Sequence, residues 1–174
     1  GSLGQGIAAA CGMAINAKHL DKTDYKVYTV LGDGEMQEGE VWEALMAGAH
    51  YKLDNFCVIL DKNGLQIDGE VEKVMNIGDI EAKAKAFGYE TRVIDGHDFQ
   101  QIDAAVNDFK ANAGSGKPFF IVAKTHKGMG VSFMQDNPGW HGKNPNDEEY
   151  ANAVTELDAA IKALDYYTVD GRVR

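Results

Sequence analysis

Two short apolar runs, residues 26–31 (KVYTVL) and 56–60 (FCVIL), each end in a polar, glycine-bearing turn, and a helical pattern lies between them. The first run passes into Gly32-Asp33-Gly34 and the second into Asp61-Lys62-Asn63. Residues 38–51 (EGEVWEALMAGAHY) place Val41, Ala44, Leu45 and Gly48 at the spacing of one helix face. Strand, helix and strand in that order make a βαβ unit, which is nearly always right-handed and has parallel strands. Both turns then emerge at the carboxyl edge of one sheet. If the two strands are neighbours they lie ~4.8 Å apart, and Asp33 and Asn63 could then share a ligand. That edge is where open α/β sheets bind ligands.

A carboxylate and an amide oxygen are hard donors, suited to Mg²⁺ or Ca²⁺, or to Mn²⁺, rather than to zinc. Mg²⁺ takes about six oxygens near ~2.1 Å and draws several from phosphate and water. Gly34 has no Cβ to keep a phosphate from its backbone, and the helix starting near Glu38 adds positive potential. A metal-bridged diphosphate is the ligand this suggests. The competing reading is a turn and a loop asparagine with local roles only, since both residue types favour turns.

The remaining pattern continues the alternation of helix and strand. Residues 7–19 read as an alanine-rich helix with Gly4, Ala8 and Gly12 on a face where another backbone could pack. Residues 20–25 read as a charged loop. Residues 64–69 hold turn residues, 70–78 a loop and 79–87 a helix closed by Gly88. Residues 90–94 read as a strand, Asp98 as an N-cap, and 99–111 as a helix with the apolar stripe Ile102, Ala105, Val106 and Phe109. Residues 118–123 (PFFIVA) are continuously apolar, as in a strand buried on both faces. The Gly114-Ser115-Gly116-Lys117 turn precedes that strand rather than a helix, which excludes a phosphate loop. A long loop over 131–146 leads to an amphipathic helix over 147–164, with Ala153, Leu157, Ala160, Ile161 and Leu164 on one side, and then a tail over 165–174. The expected fold is α/β: three layers, with a mainly parallel sheet and helices on both faces.

Composition narrows the partners. A net charge of −10 opposes nucleic acid as a ligand but not an anionic cofactor held through a metal. No apolar run approaches the ~18 residues of a membrane span, and no signal-peptide pattern is present, so the expected location is the cytoplasm. Cys11 and Cys57 sit in apolar contexts without CxxC spacing and read as buried free thiols of a reducing compartment.

Gly32-Asp33-Gly34-Glu35-Met36-Gln37-Glu38-Gly39, Glu43-Ala44 and Asp61-Lys62-Asn63-Gly64-Leu65-Gln66-Ile67-Asp68-Gly69 closely resemble the thiamine diphosphate motif of transketolases. The resemblance implies metal ligation by Asp33, Asn63 and the carbonyl of Leu65, with Mg²⁺ as the metal. It implies that Gly34 contacts the diphosphate, that Asn63 belongs to the cofactor site, and that Ile67 packs near the cofactor. It places Glu38 and Glu43 in an acidic network linking active sites across a subunit interface. The opening hexapeptide resembles the family's cofactor-lining segment, which assigns that role to Gly1, Ser2 and Leu3. The turn Lys124-Thr125-His126-Lys127-Gly128-Met129-Gly130 resembles the family's lysine-glycine turn and places Lys127 near the cofactor phosphates. Trp140-His141-Gly142 resembles the pattern whose histidine contacts cofactor and substrate, so His141 is the catalytic histidine implied; His19, His50, His97 and His126 are read as structural.

The implied function is two-carbon ketol transfer between sugar phosphates. Residues 1–174 would form the diphosphate and metal half, short of the family's amino-terminal stretch. The pattern resembles split transketolases, in which a second, pyrimidine-binding polypeptide completes the site; self-association is also implied. Deoxyxylulose-phosphate synthase shares the Gly-Asp-Gly motif and is the nearest alternative, and a non-catalytic assembly subunit or paralogue of the same fold is the other.

Overall fold

The computed structural model describes residues 2–164; Gly1 and the tail over 165–174 lie outside the described residues. The chain forms two compact units, Gly1–Thr125 and His126–Arg174. The first opens with α1 (Gln5–Ile15), a wider helical turn (Asn16–Leu20), β1 (Val27–Gly32), a 3₁₀ turn (Glu35–Gln37), α2 (Gly39–His50) and β2 (Phe56–Lys62). A two-stranded hairpin, β3 (Leu65–Gln66) and β4 (Gly69–Glu70), leads to α3 (Val71–Val74) and α4 (Ile80–Phe87). β5 (Glu90–Asp95), α5 (Phe99–Ala111) and β6 (Phe119–Lys124) complete it.

The main sheet has four strands in the order β1-β2-β6-β5, all parallel. The central strands are the ones with unbroken apolar sequence: β6 is buried over Phe119–Ala123, and β2 over most of its length. The edge strands β1 and β5 alternate between exposed and covered residues. Side chains leave a strand on alternate faces, and the core divides accordingly. Val58, Leu60, Phe120 and Val122 join the larger cluster with Ile7 of α1, Leu45 of α2 and Ile80 of α4. Cys57, Phe119 and Ile121 meet Ala105 and Phe109 of α5 on the other face. Helices therefore cover both faces, as the α/β pattern requires.

Local capping follows the sequence. Asp79 accepts from Ala82 N at 3.0 Å, and Asp98 accepts from Gln100 N at 2.8 Å and Gln101 N at 3.2 Å. Gly88 closes α4 at φ +98. Cys11 and Cys57 are buried free thiols, and burial pushes the Cys57 thiol up to about 12. Among the described residues no helix is long and apolar enough to cross a membrane.

Three segments differ from the sequence expectation. α1 begins at Gln5 rather than Ile7 and buries Ile7, Ala10, Cys11 and Ala14; a Cβ at Gly4 would lie 3.2 Å from Glu38 Cβ, whereas none of the described residues comes within 4 Å of one at Gly12. The turn over 64–69 is a hairpin. The loop over 70–78 contains α3, nucleated where Val71 is buried and its N–H donates to Gly64 O at 2.9 Å.

At the amino edge of the sheet, Asp54 ties three segments together. Its Oδ1 pairs with Lys18 Nζ at 2.6 Å, and its Oδ2 accepts from Gly114 N at 2.9 Å and Gly116 N at 3.1 Å. The two glycine N–H groups of the Gly-Ser-Gly-Lys turn are thus taken by a carboxylate of the chain itself.

α2 approaches the sheet through Gly48. A Cβ there would overlap the Tyr89 hydroxyl and lie 3.4 Å from Phe56 Cδ1. Both neighbours are buried, so Gly48→Ala is expected to destabilise the fold by about 1–3 kcal/mol. A denaturant midpoint equal to wild type would contradict this packing.

The second unit contains a 3₁₀ turn (Pro138–Trp140) inside the expected loop and α6 (Asp147–Ala163), which opens with a capping box between Asn146 and Glu149. Of the expected apolar side of α6, Ala153 is buried, whereas Leu157, Ile161 and Leu164 remain 40%, 55% and 37% exposed.

Candidate functional site

β1 and β2 pair in parallel with Gly32 opposite Asp61, so the turns that follow them are adjacent. Asp33 is 2% exposed. Its Oδ2 accepts from Gly64 N at 2.5 Å, which joins the two turns directly. Its Oδ1 is buried and has no hydrogen-bond partner among the described residues. Burial, with the Asp61 charge, pushes the Asp33 carboxyl above its ordinary range, against the pull of the Gly64 and Asn63 N–H groups and the Lys62 charge. A cavity of about 60 Å³ borders this carboxylate, lined also by Lys62, Gly64, Val71, Asn76 and Ile77.

Asn63 Oδ1 accepts from Leu65 N at 3.0 Å, closing a turn that leaves one lone pair of that oxygen for another partner. Leu65 itself starts the hairpin and pairs with Glu70. Asp33, Asn63 and Leu65 therefore stand on contiguous turns at the carboxyl edge. Among the described residues no three His, Cys, Asp or Glu side chains cluster as a metal site. A cation at this edge would draw on one carboxylate, one amide and main-chain oxygen, a hard donor set that fits Mg²⁺ or Ca²⁺. The unpartnered Asp33 Oδ1 is the observation that fits such an ion: a buried carboxylate oxygen without a partner is costly, and a cation supplies one.

Gly34 has an ordinary φ of −65, so its backbone conformation does not call for glycine, and the constraint there is one of space. The space is used by the hairpin, whose Gln66 Cβ would lie 3.2 Å from a Cβ at Gly34. Ile67, at the hairpin tip, is 67% exposed. Ser2 and Leu3 are exposed, and Gly1 lies outside the described residues. Glu38 is the N-cap of α2 and Glu43 lies within that helix; both are exposed.

Lys127 and His141 belong to the second unit. Lys127 is half-buried, and its carbonyl accepts from Asp136 N at 2.8 Å. Gly128 has φ +69, and a Cβ there would come within 2.8 Å of the Met134 backbone, so this turn needs glycine. His126 Nδ1 lies 3.1 Å from Asp136 Oδ1. His141 is exposed at the end of the Pro138–Trp140 turn, and its N–H donates to Pro138 O at 3.0 Å. Beside it, Trp140 packs on Phe133 with ring centroids 5.3 Å apart, and Lys143 Nζ lies 4.0 Å from the Trp140 ring centroid.

Two side chains at the first unit's edge escape a reading of the sequence. Glu35 accepts from Gly4 N at 3.0 Å and Gly32 N at 3.3 Å. Gln37 bonds Gln66 and donates to Met75 O at 2.9 Å, fastening the hairpin and the segment after α3. The legible signal is the spacing from Gly32 to Glu35, the i to i+3 reach by which a glutamate returns to a backbone N–H in a capping box.

Residues 1–163 match the family described as transketolase, thiamine diphosphate binding domain. An apulose-4-phosphate transketolase subunit from Phocaeicola vulgatus is 40% identical over 95% of this chain and 58% of its own length. Human transketolase is 42% identical over 94% of this chain, and Transketolase-like protein 2 of Bos taurus 45% identical over 90%. The chain spans about a quarter of the length of each of those two relatives. The crystal structure of transketolase from Campylobacter jejuni superposes with a TM-score of 0.83 at 35% identity, covering 91% of this chain and 25% of that one. The parallel sheet, the adjacent turns carrying Asp33 and Asn63, and the match over residues 1–163 lead to one conclusion: the chain belongs to the transketolase thiamine diphosphate-binding domain family.

Proposed function

We propose that this chain is the diphosphate- and metal-holding part of a transketolase that moves a two-carbon ketol unit from a ketose phosphate to an aldose phosphate. The observation that carries this is Asp33: buried, unpartnered at Oδ1, and joined through Gly64 to the turn bearing Asn63. In this reading Asp33, Asn63 and the Leu65 carbonyl would hold Mg²⁺, whose charge would offset that of the diphosphate of thiamine diphosphate. Gly34 would contact the diphosphate, Ile67 would pack near the cofactor, and Gly1, Ser2 and Leu3 are the residues assigned to its lining. Lys127 sets an ammonium near the phosphates, compensating their charge. His141, an exposed imidazole, donates to an anionic oxygen of the substrate and exchanges a proton there. Glu38 and Glu43 link one active site to the next across a subunit interface. When bound, the cofactor supplies the carbon–carbon bond chemistry, and the protein supplies orientation and electrostatics.

The pyrimidine end of the cofactor is held by another part of the assembled enzyme. The Phocaeicola relative bears the name of a subunit, which supports a separate polypeptide as the source of that half. Self-association and a cytoplasmic location belong to the same reading.

The test is a ketol-transfer assay on the protein purified with whatever accompanies it, given thiamine diphosphate and Mg²⁺, with and without chelator. Chelator-sensitive transfer from a ketose phosphate to an aldose phosphate is the expected result. Condensation of pyruvate with glyceraldehyde phosphate instead would identify a deoxyxylulose-phosphate synthase activity. Cofactor binding with no turnover would identify a non-catalytic paralogue.

A further inference from the structure

The two carboxylate oxygens of Glu35 serve two segments that are distant in sequence. Oε1 accepts from Gly4 N at 3.0 Å, and Oε2 accepts from Gly32 N at 3.3 Å. Gly4 caps α1 at φ +87 and directly follows Ser2 and Leu3. Gly32 ends β1 and directly precedes Asp33 and Gly34. A Cβ at Gly4 would lie 3.2 Å from Glu38 Cβ and 3.4 Å from Glu40 Cβ, so this segment is seated closely on the start of α2. The Glu35 carboxylate is the group that hydrogen-bonds the amino-terminal segment to the turn carrying Asp33.

We infer that Glu35 is a positioning residue for the cofactor site, holding the Ser2–Leu3 segment in register with the Asp33–Gly34 turn before cofactor binds. The inference rests on the thiamine diphosphate reading above. The role needs a carboxylate: two N–H donors require two acceptor oxygens, whereas the amide of glutamine offers one acceptor and turns a donor on the second N–H. The role is geometric. A negative charge near a diphosphate is itself unfavourable for binding, so a site selected on charge alone would favour a neutral side chain here.

The experiment measures thiamine diphosphate affinity at saturating Mg²⁺, by quenching of intrinsic fluorescence, in the protein purified with its accompanying subunits. Wild type, Glu35→Gln and Glu35→Ala are compared with Asp54→Asn, a control that weakens the same unit at the opposite edge of the sheet. Melting temperatures of the cofactor-free proteins are recorded alongside. Hydrogen bonds to a charged group are worth enough that the Kd of Glu35→Gln is expected to rise about tenfold, and that of Glu35→Ala further. Asp54→Asn is expected to lower the melting temperature at least as much while leaving the Kd within about twofold of wild type. Glu35→Gln keeps the side-chain shape and decides the question should Glu35→Ala fail to fold. A Glu35→Gln Kd equal to or tighter than wild type overturns the inference, as does an equal rise in Asp54→Asn, which would make lost stability the cause. Wild-type protein that binds no thiamine diphosphate with Mg²⁺ overturns the cofactor reading itself, a separate outcome.

Discussion

Asp33→Asn is expected to abolish metal-dependent binding of thiamine diphosphate and, in the same protein, to raise the melting temperature of the cofactor-free state. The two effects have one origin. Asp33 is 2% exposed, and one carboxylate oxygen lacks a partner among the described residues, so its charge is carried at a cost unless a cation is present. Burial raises its pKa for the same reason. Asparagine keeps the shape and an acceptor for Gly64 N, and it removes the desolvated charge. It also removes the charged donor of the proposed metal set. Partners that only orient metal ligands are worth roughly 10–100-fold in affinity, so loss of the ligand itself should weaken metal-dependent binding by at least about 100-fold. Titration of Mg²⁺ and thiamine diphosphate, with thermal melts of the cofactor-free protein, reads both. Retained binding would remove Asp33 from the ligand set, and a lowered melting temperature would show that its charge is compensated within the fold.

The second large effect is structural. Asp54→Ala is expected to destabilise the protein by about 3 kcal/mol, because it leaves the Lys18 ammonium and the N–H groups of Gly114 and Gly116 without their shared acceptor. The pH dependence tests the cause. Burial acts to raise the Asp54 pKa, but the Lys18 contact and the two glycine N–H groups outweigh it, and the net shift is downward. A carboxylate whose pKa is depressed by folding stabilises the fold above its unfolded value and loses that contribution as pH falls through its folded value. The stability gap between wild type and Asp54→Ala should therefore be constant above about pH 4 and narrow below it. Chemical denaturation across that range measures it. A gap that is independent of pH into strong acid would assign the loss to packing rather than to the charge.

Much of the first unit is legible in the sequence because its signals are local. Val41, Ala44, Leu45 and Gly48 repeat at helical spacing and are the residues α2 buries. Asp98 and Gly88 act as the N-cap and closing glycine that their residue types suggest. The shared edge of the Asp33 and Asn63 turns follows from the handedness of a βαβ unit, and the pairing of β1 with β2 makes them adjacent. The contacts that escape such a reading are long-range. Nothing near Glu35 in sequence indicates Gly4, and nothing near Asp54 indicates Gly114 or Gly116. The hairpin and α3 look like loop in the sequence because their elements of two to four residues are too short for a periodic pattern to register. α6 is amphipathic in sequence, yet most of its apolar side is exposed within the described residues, because hydrophobic periodicity states which face an element would bury and not whether a neighbour covers it.

The sequence by itself determined the alternation of strand and helix, the parallel sense of β1 and β2, the emergence of the Asp33 and Asn63 turns at one edge, and the resemblance to transketolases. These rest on short-range propensity, chain chirality and a contiguous motif. Only the tertiary structure decided that β2 lies between β1 and β6, that Gln66 packs where a side chain at Gly34 would stand, that Asp33 is left with an unpartnered oxygen, and that Glu35 joins Gly4 to Gly32. Each of these depends on which distant segments meet. Burial and hydrogen-bond pairing belong to a side chain's surroundings in space, which neighbours along the chain do not specify.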